Sequence, residues 1–209
     1  MRTGGSPVVP ALRWSQAGGY EIDTPRVRDA AAAGVQGFIL FGGTASAARE
    51  AADALKAQAG QGVILGADLE RGAGQQFQGA TPLPPLAALA ALEDLEVIRA
   101  AGALTGREAV ALGIPWVFAP VADLAVEPDN PIVGTRAFGG EAGQVARQVS
   151  AWCEGCMSAG AIPCVKHFPG HGRTRTDSHA ELPVVEASRA TMEATDLLPF
   201  RAAVAAGVP

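Results

Sequence analysis

The sequence of 209 residues has no apolar run long enough to cross a bilayer, because Arg, Glu, Asp or Gln interrupts each of its alanine-rich stretches. It also lacks a basic excess. Its 16 Lys and Arg residues stand against 21 Asp and Glu residues, and the net charge of −5 argues against a nucleic-acid binder. No apolar segment of signal-peptide type follows the first residues. These features predict a soluble globular protein of the cytoplasm, without a nucleic-acid partner or membrane association.

Cysteine is scarce, and three cysteines cannot all pair within one chain. Cys153 and Cys156 form a C-x-x-C, but they lie in a helical pattern, and Cys164 lies in a predicted strand. A redox or zinc role is the alternative interpretation of this spacing. We favour buried, inert thiols, since free cysteine is among the most buried residue types.

Histidine is equally rare, and all three histidines fall in one stretch, residues 166–179. A short apolar run, residues 162–165, leads into it. Such a run followed by a polar, glycine-rich segment indicates a buried strand that opens into a loop. The basic, acidic and imidazole groups therefore gather at the end of a strand, where α/β proteins place their catalytic residues.

The rest of the chain alternates between strand and helix patterns, which predicts an α/β fold with a parallel sheet. Helices are expected at about 24–34, in the alanine-rich stretch that ends at Gly60, for two to three turns after Pro85, and at about 94–112, 141–159 and 195–207. The predicted strands are residues 7–14, 37–41, 63–68, 116–119 and 162–165.

Two architectures fit this alternation: an open doubly wound sheet and an eightfold (β/α)8 barrel of the TIM type. A dinucleotide-binding doubly wound sheet should carry G-x-G-x-x-G at its first helix, and the sequence has none. Polar residues instead end several different strands, at Asp68, at residues 120–123 and at Lys166-His167. Contributions from many strand ends favour the barrel.

A short motif that occurs three times bears on how much of a barrel this chain contains. Residues 112–115 and 159–163 each place a helix-ending glycine before an apolar residue, a proline and a strand. Residues 206–209 repeat the glycine, apolar residue and proline. Five strands are predicted, whereas a full barrel has eight strands and usually about 250 residues. We therefore expect residues 1–209 to be one barrel domain that is incomplete at its C-terminal end.

The carboxylate and imidazole of Asp177 and His179 stand two residues apart in the predicted loop. A carboxylate that binds one imidazole nitrogen fixes the tautomer and raises the basicity of the other, which suits a general acid/base. An ordinary solvated loop is the simpler alternative. Zinc ligation by the three histidines and Asp177 is disfavoured, because Pro169 and Gly170 prevent helical ligand spacing.

Lys166 and His167 suit the recognition of hydroxyl or carbonyl groups. Adjacent residues on an extended strand point in opposite directions. Both side chains can therefore reach one ligand only if the strand has already bent.

Several motifs together resemble a known family. Residues 166–172 read K-H-F-P-G-H-G, and they are followed by D-S-H at 177–179 and L-P at 182–183. Upstream, the segments are G-F-I-L-F at 37–41, F-A-P-V-A-D at 118–123 and G-T-R-A-F-G at 134–139. In this order they closely resemble glycoside hydrolase family 3, and within it the bacterial β-N-acetylglucosaminidases that act in cell-wall recycling.

The resemblance implies a barrel domain and a retaining double displacement on a carbohydrate substrate, with no cofactor and no metal. It implies that His179 is the general acid/base and that Asp177 orients it. It also implies that four residues grip the sugar: Asp68, Arg136, Lys166 and His167. Without the resemblance, Asp68 is as readily explained as a helix or loop cap, and Arg136 as a solvated ion pair.

The sequence departs from the family pattern at three places. Gln76 stands where members often have an arginine, and Gly42-Gly43 replaces a more common F-G-R. The family's nucleophile is an aspartate in an S-D segment after the sixth strand, and no aspartate of these 209 residues matches it. Other family activities (a β-glucosidase or a phosphorylase) and a non-catalytic sugar-binding fragment remain alternatives. No particular oligomeric state is predicted.

Overall fold

A computed structural model describes residues 6–59 and 62–209, and within them five parallel strands form one sheet in the order β1-β2-β3-β4-β5. The register places Ala11 beside Ile39, Gly37 beside Ile64, and Trp116 between Gly66 and Ile162. The strands are β1 (Ala11–Arg13), β2 (Gly37–Phe41), β3 (Ile64–Ala67), β4 (Trp116–Val117) and β5 (Ile162–Pro163).

Strand order decides between the two architectures that the sequence allowed. A doubly wound sheet reverses its order at a switch point, whereas a barrel adds each strand beside the preceding one. The observed order is sequential, so the structure confirms the parallel α/β fold and has the strand order of a barrel.

Helices follow the strands as the alternating pattern predicts. The predicted end of the second helix at Gly60 lies outside the described residues. The helices are α1 (Pro25–Ala32), α2 (Ala45–Ala59), α3 (Leu86–Ala90), α4 (Leu95–Ala111), α5 (Ala142–Ser158), α6 (Arg189–Ala194) and α7 (Leu198–Ala205), with 3-10 turns at Ala73–Gln75 and Gly134–Arg136.

Carboxylate caps set the starts of the two longest helices. Asp94 accepts a hydrogen bond from the backbone N–H of Glu96, and Glu141 accepts two at the start of α5. Side-chain acceptors at this position satisfy N–H groups that have no partner within the helix. Gly113 and Gly160 follow α4 and α5 with φ angles of 76° and 83°, as expected of helix-ending glycines.

The predicted last helix, from about residue 195 to 207, corresponds to α7, but the sequence analysis did not predict a separate short helix before it. The structure has α6, which Ser188 caps, and then α7. Pro199 explains the break, because a continuous helix would need an N–H at this position to bond to the carbonyl of Thr195. The strands are also shorter than predicted. Cys164 follows β5 and is not part of it.

The core lies between the sheet and its helices, around Phe38, Leu40, Leu65 and Trp152. Cys153 and Cys156 of α5 are buried in this core. Burial raises the pKa of both thiols, that of Cys156 to about 12, so they stay protonated as the inert-thiol interpretation expects. No helix in the described part of the chain is long and apolar enough to cross a membrane.

Candidate active site

A polar cleft of about 600 Å³ lies where the carboxyl ends of β3, β4 and β5 meet. Parallel strands bring their carboxyl ends to one edge, so residues distant in sequence converge there. The cleft holds most of the residues predicted from the sequence. Its lining includes Asp68, Glu70, Arg136, Lys166, His167, His171, Ser178 and His179.

Glu70 connects the cations of this cleft, and the sequence analysis did not identify it. Its carboxylate accepts two hydrogen bonds from Arg136, at 2.9 Å from Nε and 2.7 Å from Nη2. The same carboxylate lies 2.7 Å from Lys166 Nζ. Only 6% of the Glu70 side chain is exposed. Two guanidinium bonds and an ammonium contact therefore compensate a carboxylate that burial alone would disfavour.

The charge state of Glu70 follows from these contacts. Burial would raise the pKa of its carboxyl, but the hydrogen bonds from Arg136 and the charge of Lys166 outweigh burial and lower that pKa from 4.5 to about 2. The carboxylate in turn raises the pKa of Arg136. Glu70 is thus ionised at neutral pH.

Asp68 contacts Lys166 from the other side, with Oδ1 2.5 Å from Nζ. Asp68 therefore forms an ion pair with Lys166 in the cleft wall. Arg136 forms a bidentate ion pair with Glu70 that is partly buried, and not the solvated ion pair that the sequence alone also allowed. Lys166 and His167 both line the cleft, because β5 ends at Pro163 and the chain has turned before it reaches them.

His167 is oriented by Asp123, which is fully buried behind the cleft wall. Nδ1 of His167 lies 2.6 Å from Asp123 Oδ2, and Nε2 lies 3.2 Å from Arg136 Nη2. A guanidinium can only donate, so Nε2 accepts a hydrogen bond, and Nδ1 carries the proton and donates a hydrogen bond to Asp123. The two neighbours thereby select one neutral tautomer.

Asp177 and His179 are hydrogen-bonded to each other at the mouth of the cleft. His179 Nδ1 lies 2.7 Å from Asp177 Oδ1, and the backbone N–H of His179 donates to the same oxygen at 2.8 Å. These bonds lower the pKa of the Asp177 carboxyl. The imidazole is 84% exposed, and Asp177 stands behind it without lining the cleft. The pair has the geometry of a carboxylate-oriented imidazole on a loop.

Most of the chain matches a known protein family. The model of the glycosyl hydrolase family 3 N-terminal domain matches residues 30–209. The chain belongs to this family. A β-hexosaminidase of Tolumonas auensis is 36% identical over 179 residues, which cover 83% of this chain and 53% of that protein. A β-N-acetylglucosaminidase/β-glucosidase of Cellulomonas fimi is 37% identical over 174 residues, 83% of this chain and 31% of that protein.

Solved structures of glycoside hydrolase family 3 proteins agree with the fold. NagZ of Neisseria gonorrhoeae, in complex with N-trifluoroacetyl-D-glucosamine, superposes with a TM-score of 0.84 at 28% identity, over 98% of this chain and 60% of that chain. A β-N-acetylglucosaminidase of Paenibacillus sp. has a TM-score of 0.82 at 32% identity, over 96% and 39%. The chain spans about a third to a half of the length of the curated relatives given above.

Two departures from the family pattern lie against each other in the structure. The backbone N–H of Gly42 donates to Gln76 Oε1 at 3.1 Å. Gln76 also lines the cleft, so an amide takes the place of the guanidinium common in this glycoside hydrolase family. The glycine pair and the glutamine therefore form one local arrangement, since an arginine side chain has no acceptor for the N–H of Gly42.

Sequence reasoning missed Glu70 and did not assign a role to Asp123. A signal existed for both, because each is a carboxylate within a few residues of a predicted strand end. Within the described ranges, no three His, Cys, Asp or Glu side chains converge in a way that could hold a metal ion.

Proposed function

We propose that this chain is part of a retaining β-N-acetylhexosaminidase that releases terminal β-linked N-acetylglucosamine, in the recycling of cell-wall sugars in the cytoplasm. The observation that carries the proposal is the bond between His179 and Asp177 at the mouth of a cleft lined by Asp68, Arg136 and Lys166. The names of the family relatives support the choice of sugar.

The acid/base role of His179 follows from the direction of its hydrogen bond. Asp177 accepts a hydrogen bond from the N–H at Nδ1, so Nε2 is the atom left to exchange a proton with substrate. In the first step, the imidazolium donates its Nε2 proton to the glycosidic oxygen as the bond from that oxygen to the anomeric carbon breaks and the nucleophilic carboxylate bonds to that carbon. In the second, water attacks the anomeric carbon and gives a proton to neutral Nε2 as the bond to the nucleophile breaks. Asp177 stabilises the imidazolium that is present before the first step and forms again in the second.

The nucleophile of this mechanism is an aspartate that the resemblance assigns to a segment after a sixth strand. None of the aspartates described in the cleft is free for that role by its contacts: Asp68 pairs with Lys166, and Asp123 holds His167. The proposal therefore applies to the protein encoded by the complete reading frame.

The sugar-binding roles rest on the polar groups of the cleft wall. Sugar hydroxyls both donate and accept hydrogen bonds, so a wall that alternates cations with carboxylates can satisfy both functions. Lys166 and Arg136 supply donors, and Asp68 supplies an acceptor. Glu70 and Asp123 hold these side chains in place, which reduces the ordering required on binding.

The test compares aryl N-acetyl-β-glucosaminide with aryl β-glucoside as substrates of the complete protein, with and without phosphate. We expect the N-acetylglucosaminide to have the higher kcat/KM and phosphate to have no effect. Asp177→Asn should lower kcat by roughly 10²-fold or more, the range of acid/base contributions. Glu181→Gln, which changes an exposed carboxylate of the same loop, is the matched control. Preference for the glucoside would contradict the proposal.

A second candidate is a β-glucosidase or a phosphorylase of the same family. The observation in its favour is the similarity to the Cellulomonas fimi relative, a β-N-acetylglucosaminidase/β-glucosidase. Comparable turnover of both substrates would support a dual activity, and turnover that depends on phosphate would support a phosphorylase. Sugar binding without turnover would support a non-catalytic role.

A further inference from the structure

The segment 176–182, here called the catalytic loop, has a single side-chain hydrogen bond to residues outside it in the described part of the chain. That bond joins Ser178 Oγ to His171 Nε2 at 3.0 Å. Ser178 lies between Asp177 and His179, whose own bond stays within the loop. Whatever fixes Ser178 therefore acts directly on the position of the proposed acid/base.

His171 is held much more firmly than the loop it contacts. Its backbone N–H donates to Asp123 Oδ1 at 2.7 Å, and its carbonyl accepts from Asn130 Nδ2 at 2.9 Å. Its Nδ1 lies 2.7 Å from Oγ1 of Thr174, a buried residue. The backbone of His171, its ring and the carboxylate that orients His167 thus form one connected unit.

The next residue fixes the backbone further. A Cβ at Gly172 would lie 1.7 Å from the carbonyl oxygen of Leu124, so only glycine permits this approach to the segment after β4. Asn130 also donates to the carbonyl of Thr174 at 2.8 Å. His171 is consequently a rigid point beside an exposed loop, with its Nε2 directed at that loop.

The bond to Ser178 is compatible with either charge state of His171. A serine hydroxyl can donate a hydrogen bond to an Nε2 without a proton and can accept one from an Nε2 that carries a proton. The contact is therefore a positional restraint whose existence does not depend on the titration of the imidazole.

We propose that the His171–Ser178 bond is a tether that holds the Asp177–His179 pair over the cleft. His171 and Ser178 are positioning residues under this proposal, which rests on the function proposed above for that pair. The bond is exposed, and a typical net contribution of a hydrogen bond corresponds to about a threefold to tenfold change in an equilibrium. The tether thus biases the loop toward the cleft and still permits it to move away.

Ser178→Ala in the complete protein is the most direct test, because Ser178 is exposed and its truncation leaves the core unchanged. We expect kcat to fall about threefold to tenfold while KM stays unchanged, since the proposed sugar-binding residues Asp68, Arg136 and Lys166 are not altered. Ser178→Thr keeps the hydroxyl and should restore kcat. Thr176→Ala, in the same loop but without a side-chain hydrogen bond in the described structure, should match wild type.

His171→Phe removes the other partner and keeps a ring. We expect His171→Phe with Ser178→Ala to be no slower than His171→Phe alone, because both substitutions remove the same bond. Hydrogen exchange of the Ala180 and Glu181 amides, which bond to the carbonyl of Asp177, should be faster in Ser178→Ala.

The outcomes separate the tether from the function. If His179→Ala leaves turnover intact, the proposed function fails. If His179→Ala abolishes turnover but Ser178→Ala matches wild type in both kcat and amide exchange, the tether is overturned. Additive losses in the double variant would also overturn it, since they would show that the two residues act independently.

Discussion

At the scale of single residues, Glu70 determines the charge arrangement of the cleft. It contacts both Arg136 and Lys166, and Lys166 contacts Asp68 in turn. Loss of one member of such a buried network leaves the others without compensation, which costs more than loss of an exposed pair.

Glu70→Gln should remove the contribution that Glu70 makes to the pH dependence of the free energy of unfolding. The folded-state pKa of Glu70, about 2, lies below its ordinary value of 4.5. Ionised Glu70 therefore stabilises the fold fully above pH 4.5, and this contribution is lost as the pH falls toward 2. Each pKa unit is worth about 1.4 kcal/mol, so the full contribution is on the order of 3 kcal/mol.

Urea unfolding between pH 7 and pH 3 measures this difference. Wild type should exceed Glu70→Gln in free energy of unfolding at pH 7, and the gap should narrow below pH 4.5. Asp53→Asn, at an exposed ion pair with Arg49, is the control and should show a far smaller gap. A gap that stays constant down to pH 3 would contradict the assignment.

Asp123→Asn should change the tautomer of His167 without changing the shape of the site. If its oxygen keeps the bond from the His171 N–H, its amide N–H₂ faces Nδ1 of His167, and two donors then oppose each other. Nδ1 must give up its proton and accept, which places the proton on Nε2 opposite the Arg136 guanidinium. We expect about a tenfold to 100-fold loss of kcat/KM, because wrong-tautomer substitutions elsewhere cost at least that much.

The nitrogen chemical shifts of His167 report the tautomer directly, and kinetics report its consequence. A wild-type tautomer together with reduced activity would show that Asp123 acts by another route. Asp129→Asn, which changes an acidic residue of the same long loop outside the cleft, is the matched control.

At the scale of elements, α4 and α5 pack against each other through close backbone contact. A Cβ at Gly155 would lie 2.0 Å from the carbonyl oxygen of Arg99, and one at Gly102 would lie 2.1 Å from that of Trp152. Glycine at these positions lets the two helices approach more closely than side chains permit.

Gly155→Ala should therefore destabilise the protein, although alanine is the better helix former by about 1 kcal/mol. The clash is with backbone, which cannot yield as a side chain does, and we expect a net loss of about 1–3 kcal/mol, the usual range for overpacking. Gly139→Ala is the control, because nothing lies within 4 Å of its added Cβ. Thermal unfolding of both variants would test this, and equal midpoints would refute the packing argument.

At the scale of the whole molecule, the described sheet has two edges, β1 and β5, and an apolar groove of about 450 Å³ lies beside β5. Phe168 and Val204 of this groove are 72% and 74% exposed. Unpaired strand edges and exposed apolar patches promote association between chains.

We expect the 209-residue chain, expressed by itself, to self-associate. Val204→Lys should reduce that association, because it places a charge in the groove. Leu92→Lys, at a residue 60% exposed elsewhere, should not. Size-exclusion chromatography of the wild-type chain and of the two variants would test this prediction, and a monodisperse wild-type monomer would contradict it.

The sequence by itself determined the elements and the family. Hydrophobic runs located β2 at residues 37–41, and capping carboxylates and terminal glycines located α4 and α5 within a residue or two. These are local properties, because capping and periodicity depend on neighbours within a few positions. The motifs at residues 166–172 and 177–179 likewise indicated glycoside hydrolase family 3 without coordinates.

Only the tertiary structure decided the contacts across the sheet. Glu70 contacts Arg136 and Lys166, which lie 66 and 96 positions later in the chain, and Gln76 contacts Gly42. Because these partners are distant in sequence, no local sequence pattern indicates either contact. The His171–Ser178 bond also depends on how the loop turns back. Sequential strand order brings distant carboxyl ends to one edge, and the partners chosen there depend on three-dimensional packing that a one-dimensional pattern does not encode.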